Sequence, residues 1–414
     1  MLRKFFTGAC CAGFMLCLGV SAFSQEAPAQ SGSAPAPTCH GMTLGQEGSL
    51  NGYVPFGPSS LWNKNIAASP VDPNSTAIID FIGSGEPLHP DFGSGTYQGQ
   101  SIGIPYVVAP MTQSGVSITY TQSPDESDPG PMPIPSNAQI EGFPNPGDGD
   151  RHVLVLDPAN CWLYELYSSY PNTNGTWKAG SGAAWDLEKS EYRPWGWTSA
   201  DAAGLPIFAG LVRYDEILNG SINHAIRVTL QNSRQAFTLP ATHWAANSSS
   251  SLAAPMGMRL RLKASVNISG FSKTNQIILT ALKNYGMIMA DNGSNMFLTG
   301  TTDSRWNNDD LHNLGSLTAA DFEVVKMGTV YTTIPTGPAP VITSFKASAD
   351  SAPKGTAITL TWSATNATYY AIDPNEGVIR GTSLVQKLAG TTTYVLTAIG
   401  PYGSSTSSVT VTAE

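Results

Sequence analysis

The chain has 414 residues, of which 41% are hydrophobic and 12% are charged, and it contains 41 glycines and 30 prolines. About a quarter of the residues in an average globular protein are charged, so this composition argues against coiled coils, long charged helices and acidic disordered tails. Lys and Arg number 21 against 30 Asp and Glu, which gives a formal net charge of −9. Nucleic acid is therefore a poor partner, because phosphate binding requires clustered basic side chains.

Residues 1–24 have the pattern of a secretory signal peptide. Arg3 and Lys4 precede an apolar run from Phe5 to Val20, and small residues follow before the expected cleavage site. The run is shorter than the roughly 18–20 apolar residues of a membrane span, and no other stretch reaches that length. We therefore expect a secreted protein without a membrane span, either extracellular or periplasmic.

Secretion also determines how the cysteines are interpreted. Three of the five cysteines lie in the signal segment, which leaves Cys39 and Cys161 in an oxidising compartment. The sequence therefore predicts one disulfide between them. Residues 25–38, rich in Pro, Ala, Ser and Gln, are expected to form a disordered linker.

Residues 39–330 are expected to form a β-rich main domain, because short apolar runs alternate with Gly- and Pro-rich turns. A helical period is clear only between Ser272, a predicted N-cap, and Gly286, which is predicted to follow the helix end. A shorter helix is expected at either Thr198–Ala203 or Tyr214–Leu218. The predicted strands are Ile104–Ala109, Val116–Thr121, His152–Leu156, Cys161–Tyr167, Ala225–Leu230 and Met258–Leu262.

Many strands with one or two helices are typical of a mainly β fold, here an antiparallel β-sandwich or jelly-roll-like domain. A Pro- and Gly-rich linker at 331–340 separates it from residues 341–414, where polar and apolar residues alternate. The predicted strands of this last segment are Val341–Phe345, Ala357–Trp362, Thr392–Thr397 and Ser407–Thr412.

The last segment contains an I-T-S-F start, an L-T-W-S core and a T-T-Y-V-L-T-A strand. In these strings it resembles the bacterial immunoglobulin-like modules at the ends of secreted proteins, although it lacks the cysteine pair of antibody domains. The resemblance implies a small β-sandwich that acts as a spacer or as a glycan-binding module.

The sequence lacks several motifs that mark particular kinds of chemistry. The sequence has no phosphate-binding loop, no H-E-x-x-H string and no EF-hand loop. A G-x-S-x-G string occurs at Gly99–Gly103, but the residues after Ser101 predict a strand, whereas the nucleophile elbow of an esterase requires a helix there. An esterase is therefore disfavoured.

The segment from Asn137 to His152 contains the main candidates for catalysis. Glu141 lies at the start of a Gly- and Pro-rich loop, and Asp150 and His152 lie where that loop enters a predicted strand. Alternate residues of a strand point to one face, so Asp150 and His152 are predicted to lie side by side. A carboxylate beside an imidazole can act as a general acid or base. The alternative is that the acids form turns and that His152 is an ordinary edge residue.

A second cluster combines Trp185, Asp186, Trp195, Trp197 and Asp201. Aromatic faces stack on the apolar faces of sugar rings, so the three tryptophans, with Asp186 beside them, are candidates for substrate binding. Asp201 is a further candidate for catalysis. The alternatives are that the tryptophans fill a core and that Asp201 lies in the first turn of a helix.

Four residues outside these clusters are also candidates for substrate binding. His224 and His243 lie near predicted strands, Arg227 follows His224 closely, and Asp291 lies beyond the predicted helix, although it could equally form a turn. We expect no cofactor. The alternative is a metal ion bound by His152, His224 and His243, if the fold brings the three together.

Residues 137–326 also contain several long, specific strings. They are G-D-G-D-R-H, W-D-L, W-T-S-A-D-A-A-G-L-P-I, R-Y-D-E, H-A-I-R, M-G-M-R-L-R-L-K and A-L-K-N-Y-G-M-I-M-A-D-N-G. In these strings the chain resembles a family of uncharacterised secreted microbial proteins. The resemblance implies secretion, and it assigns no activity and no catalytic residue.

The candidate residues favour a secreted glycoside hydrolase that cleaves a neutral extracellular polysaccharide with a pair of carboxyl groups. Two of Glu141, Asp150 and Asp201 are expected to form the pair, and His152 to tune it. The alternative enzyme is a polysaccharide lyase acting on a uronate-containing glycan, which an acidic chain disfavours but Arg227 and other arginines permit. The alternative without catalysis is a glycan- or surface-binding protein whose acids form turns or a calcium site.

Overall fold

The computed structural model describes residues 36–189 and 192–414. The predicted signal peptide lies outside the described residues, as does nearly all of the predicted 25–38 linker. The described residues are mainly β, with 34% of them in strands and 12% in helices, which confirms the predicted fold class. No helix in the described residues is long and apolar enough to cross a membrane.

The strands are short and are numbered here in chain order. Up to residue 331 they are β1 Gly45–Gln46, β2 His89–Asp91, β3 Thr96–Tyr97, β4 Gln100–Ser101, β5 Tyr106–Val108, β6 Ile118–Tyr120, β7 Val153–Asp157, β8 Trp162–Tyr167, β9 Tyr170–Pro171, β10 Trp177–Ala179, β11 Ser181–Asp186, β12 Ile226–Leu230, β13 Ser233–Thr238, β14 Ala254–Met256, β15 Arg259–Leu262, β16 Met287–Asn292, β17 Phe297–Thr299, β18 Phe322–Val324 and β19 Val330–Tyr331. Beyond residue 340 they are β20 Val341–Ala347, β21 Ser351–Ala352, β22 Ala357–Thr365, β23 Tyr369–Asp373, β24 Gly377–Ile379, β25 Ser383–Lys387, β26 Thr392–Gly400 and β27 Gly403–Ala413.

Helices are few and mostly short in the part of the chain that the structure describes. The α-helices are α1 Ser75–Ile82, α2 Tyr214–Asn219, α3 Lys273–Asn284 and α4 Asn308–His312. Single 3-10 turns occur at Cys39–Gly41, Pro124–Glu126, Phe208–Gly210, Asn313–Ser316 and Ala319–Asp321.

Most of the predicted elements are present. The six strands predicted in the main domain occur as β5, β6, β7, β8, β12 and β15, each within two residues of its predicted ends. The predicted long helix is α3: the Ser272 hydroxyl accepts a hydrogen bond from Asn275 N at 3.2 Å, and Gly286 follows with φ +70°. The shorter helix forms at α2. Residues 198–203 instead form turns, in which Asp201 N donates to the Ser199 hydroxyl at 2.9 Å.

Two sheets carry most of the strands before residue 331. A five-stranded sheet has the order β1-β5-β7-β8-β11, and a six-stranded sheet has the order β18-β15-β16-β12-β17-β2. Both are mixed, with parallel pairs β5–β7, β12–β16 and β2–β17. Alternate residues of β7 enter two cores: Leu154 and Leu156 pack with the six-stranded sheet, and Val153 and Val155 pack on the opposite face. The five-stranded sheet is therefore covered on both faces.

Residues 341–414 form a small β-sandwich with a core of its own. Its sheets have the orders β20-β22-β25 and β21-β27-β26-β23-β24, and Trp362 and Tyr394 are buried between them. Ala371 and Val378 pack into the outer core beside β7. Arg380 binds Asp186 of β11 through two hydrogen bonds of 2.8 and 2.5 Å. The sandwich is thus packed against the preceding residues rather than separated from them.

The predicted disulfide between Cys39 and Cys161 is confirmed. It joins residues 122 positions apart and connects the first 3-10 turn to the residue before β8. Both cysteines are buried in the core shared by the two large sheets. The N-terminal segment is therefore tied covalently to the five-stranded sheet.

Candidate functional site

A cleft of about 940 Å³ lies between the loop from Glu141 to His152 and strands β2, β12, β16 and β17 of the six-stranded sheet. We call it the carboxylate cleft, because four of its lining residues are acidic. Its titratable lining residues are His89, Asp91, Tyr97, Glu141, Asp150, Arg151, His152, Arg227, Asp291 and His312.

Glu141 and His152 form an ion pair at one wall of this cleft. The distance from His152 Nδ1 to Glu141 Oε2 is 2.7 Å, and His152 N also donates to Oε2 at 3.3 Å. His152 Nε2 lies 3.0 Å from the Ala200 carbonyl oxygen. Because both ring nitrogens face oxygen acceptors, the ring carries a proton on each nitrogen and is an imidazolium.

The pair sets the protonation state of both groups. Burial alone would lower the pKa of His152, but the charge and hydrogen bond of Glu141 outweigh it and raise that pKa to about 9. Burial alone would raise the pKa of Glu141, but His152 outweighs it and holds that pKa below its usual value. Because its pKa is lowered, Glu141 is ionised at neutral pH. Its side chain is 27% exposed, so the carboxylate is accessible from the cleft.

Asp150 completes a tight group with this pair. Single ligand atoms of Glu141, Asp150 and His152 lie within 4.8 Å of one another, a spacing that could hold a metal ion. His152 would have to give up one of its two hydrogen bonds to become a ligand, so the arrangement favours an ion pair over a metal centre. The prediction that Asp150 and His152 share a strand face is wrong: β7 begins only at Val153, and Arg151 between them has φ +53°.

Arg227 lies at the floor of the cleft between two aspartates. Its Nε and Nη2 donate to the two carboxylate oxygens of Asp201 at 2.7 and 2.8 Å, and its Nη1 donates to the Thr299 hydroxyl at 2.8 Å. Its Nη2 lies 3.6 Å from Asp291 Oδ2. The Asp201 side chain has no exposed surface. The expectation that Asp201 is catalytic is therefore corrected: Asp201 supports Arg227 and does not reach a substrate.

Asp291 differs from the other acids because it holds its proton near neutral pH. Burial and the neighbouring charge of Asp201 raise its pKa to about 7, although Arg227 opposes the shift. Its side chain remains 27% exposed to the cleft. It lies in β16 opposite Thr229 of β12. The same cleft thus contains a carboxyl group that keeps its proton up to about pH 7 and the ionised Glu141.

Two residues of the cleft wall have no local sequence signal. His89 and Asp91 belong to β2, which pairs in parallel with β17 at the edge of the six-stranded sheet. Burial raises the pKa of Asp91 even though His89 lies nearby. Phe297 stacks on the His89 ring with 4.0 Å between centroids. Only the pairing of distant strands brings these side chains to the site.

The predicted aromatic cluster lies outside the carboxylate cleft. Trp185 is 2% exposed and its Nε1 donates to Glu165 Oε2 at 3.1 Å, so it belongs to the core and does not line this cleft. Asp186 is held by Arg380, Trp195 packs on Phe237, and Trp197 lies under the Arg193 guanidinium. Of these residues, Asp186 and Trp195 contact the C-terminal sandwich, through Arg380 and the Pro401 carbonyl oxygen.

The three histidines proposed as alternative metal ligands have separate partners. His224 Nε2 lies 3.0 Å from Glu216 Oε1, and His243 Nδ1 lies 2.7 Å from the Ala202 carbonyl oxygen. His152 is bound to Glu141. In the described residues, no group of closely spaced metal-ligand atoms includes His224 or His243.

Ser101 lines the carboxylate cleft, but not as a nucleophile elbow. It ends the two-residue strand β4, which forms a hairpin with β3, and the chain then continues without a helix toward β5. This agrees with the sequence argument against an esterase. The chain matches no protein-family model and no curated protein sequence.

Proposed function

We propose that this protein is a secreted glycoside hydrolase acting on a neutral polysaccharide in the carboxylate cleft. One observation carries the proposal: the cleft contains a carboxyl group held ionised, Glu141, and another that holds its proton near neutral pH, Asp291. Glycoside hydrolysis requires two carboxyl groups in these opposite states on either side of the glycosidic bond.

The proposed roles follow from the protonation states. Asp291 donates its proton to the glycosidic oxygen as the bond to the anomeric carbon breaks. Glu141 supplies the negative charge that stabilises the oxocarbenium-like transition state, and water completes the reaction. Arg227 positions Asp291, and His152 keeps Glu141 ionised.

A neutral substrate is favoured by the charges that line the cleft. The two cations nearest the carboxyl pair are already bound: Arg227 by Asp201 and His152 by Glu141. Arg151 donates to the carbonyl oxygens of Ser169 and Gly147. The cleft therefore offers a uronate few unpaired positive charges, whereas its carboxylates can accept hydrogen bonds from sugar hydroxyls.

A polysaccharide lyase is the second candidate, because Arg227 and His152 both line the cleft. A lyase must neutralise the uronate carboxylate and abstract a proton beside it. Both residues would first have to leave their acidic partners. The other two arginines that could favour a lyase are tied elsewhere, Arg259 to the Leu61 carbonyl and Arg261 to Glu323.

Secretion is part of the proposal. The disulfide between Cys39 and Cys161 suits an oxidising compartment, as does the signal-like N-terminus. We also propose, from the strings in residues 137–326, that the chain is related to the family of uncharacterised secreted microbial proteins.

The test is incubation of the purified protein with neutral and uronic polysaccharides, with and without EDTA. We expect new reducing ends without the absorbance of unsaturated uronates, and no loss of rate in EDTA. Glu141→Gln and Asp291→Asn are each expected to reduce turnover by at least about 10²-fold, whereas Asp148→Asn, which changes an exposed acid of the same loop as Glu141, is expected to retain it. Uronate absorbance would instead establish the lyase, and sugar binding without any product would establish a binding protein.

A further inference from the structure

A second cleft, of about 730 Å³, lies between the C-terminal sandwich and the preceding residues. Among the described residues, none of those that line it also lines the carboxylate cleft. We call it the aromatic cleft, because six aromatic side chains line it. They are Trp162, Trp185, Tyr192, Trp195, Tyr369 and Tyr402.

The charged groups of the aromatic cleft are paired within the protein. Asp186 is bound by Arg380 and lies 3.5 Å from Lys189 Nζ. The Arg193 guanidinium is buried against Asp128 and donates to the Thr198 carbonyl oxygen at 2.9 Å. Because each charge already has a counter-ion, the cleft favours a ligand without net charge.

The aromatic rings form an accessible surface over a buried floor. Tyr192 is 41% exposed and Tyr402 is 37% exposed, Trp195 is half-buried, and Trp162 and Trp185 are almost fully buried. Tyr402 comes from the C-terminal sandwich, whereas Trp195 precedes it in the chain, and Trp195 N donates to the Pro401 carbonyl oxygen at 2.8 Å. This backbone hydrogen bond joins the two sides of the cleft.

Polar groups accompany these rings. The Asp186 carboxylate and the exposed Lys189 ammonium group both line the cleft. They can form hydrogen bonds with hydroxyl groups at the edges of a ligand whose flat faces are apolar.

We infer that the aromatic cleft binds the neutral sugar units of a glycan chain, at a site separate from the carboxylate cleft. Pyranose rings combine apolar C–H faces that stack on aromatic rings with equatorial hydroxyl groups that form hydrogen bonds. Uncharged hexose or pentose units meet all three requirements: aromatic contact, hydrogen bonding and charge neutrality. The inference needs no catalysis and stands apart from the proposed hydrolysis.

The test is calorimetric titration of the full chain, in a Glu141→Gln background that prevents turnover, with cellohexaose, xylohexaose, laminarihexaose and maltohexaose. We expect at least one of these probes to bind, and Tyr402→Ala and Tyr192→Ala each to weaken that binding about tenfold, because each removes one stacking face. The matched control is Tyr170→Ala, because Tyr170 is 42% exposed and lines neither cleft. Circular dichroism checks that each variant is folded.

Three results would overturn the inference. The first is that none of the four probes binds. The second is that the Tyr402, Tyr192 and Tyr170 variants bind the probe with equal affinity. The third is that an apolar dye binds the aromatic cleft and no sugar probe displaces it. The hydrolase proposal fails separately, through absence of products from the Glu141-containing protein. Loss of hydrolysis with intact Tyr402-dependent binding would contradict only the hydrolase.

Discussion

Asp201 and Arg227 form a bidentate ion pair beneath the carboxylate cleft, with two N···O distances of 2.7 and 2.8 Å. Thr299 binds the same guanidinium, and Asp291 lies 3.6 Å from it. One buried arginine therefore links β12, β16 and β17 to the loop that carries Asp201. The position and the charge of Asp291, the proposed proton donor, depend on this pair.

Replacing Asp201 is expected to destabilise the fold strongly. Asp201→Ala leaves the buried Arg227 without its counter-ion, and removing one partner of a buried ion pair costs about 3–5 kcal/mol. Urea unfolding measures the change in free energy. The exposed Asp148→Ala should change it by less than about 0.5 kcal/mol. A loss below about 1 kcal/mol in Asp201→Ala would show that the pair contributes little.

Stability should fall as the solution becomes alkaline, because of His152. Its pKa rises from 6.5 to about 9 on folding, so the ion pair with Glu141 stabilises the fold fully below pH 6.5 and is lost as the pH rises through about 9. Glu141, whose pKa is lowered on folding, loses its contribution as the pH falls below its usual value of 4.5.

Urea unfolding at pH 6 and at pH 9.5 tests this dependence. His152→Gln should be less stable at pH 6 and should show a smaller change between the two values, since no imidazolium remains to titrate. If the free energy of unfolding of His152→Gln fell as steeply between pH 6 and pH 9.5 as that of the parent, a group other than His152 would be the cause.

Local patterns in the sequence predict those strands, helices and side-chain pairs that depend on residues close together in the chain. Alternation predicts β7, β8 and β12, the capping residue Ser272 predicts α3, and two cysteines predict one disulfide. Glu141 and His152 are found from sequence because a single short loop carries both. These elements need no knowledge of distant pairing.

The rest of the site depends on contacts that no local pattern encodes. Asp91 reaches the cleft only because β2 pairs with β17, about two hundred residues later in the chain. No local pattern shows that Trp185 is almost fully buried on β11, where Glu165 accepts its N–H and the ring lies at the floor of the aromatic cleft. Asp201 looks accessible in its loop of small residues, yet Arg227 covers it.

The pH dependence of hydrolysis should follow Asp291. Because a proton donor must be protonated, kcat/KM on the best neutral polysaccharide should fall above about pH 7, the pKa of Asp291. Asp291→Asn should reduce kcat by about 10²–10⁴-fold, the usual contribution of general acid catalysis. Initial rates between pH 4 and pH 9 measure both effects, and activity undiminished at pH 9 would rule out this carboxyl group as the donor.

The C-terminal sandwich should separate from the preceding residues when Arg380 is removed. Arg380 donates to both oxygens of Asp186 and to the Cys161 carbonyl oxygen at 3.1 Å, and its side chain is only partly exposed. Arg380→Ala removes these bonds and should cost about 1–2 kcal/mol, because charged hydrogen bonds contribute more than exposed ion pairs.

The readout is limited proteolysis in the 331–340 segment, which should release residues 341–414 faster from Arg380→Ala than from the parent. The exposed Lys346→Ala is the matched control, since it removes a cation from the same sandwich without touching the contact. Binding to the aromatic cleft should weaken in parallel, because Tyr369 and Tyr402 line it from the sandwich side. Equal cleavage rates in the two variants would mean that the apolar contacts of Ala371 and Val378 hold the sandwich in place without Arg380.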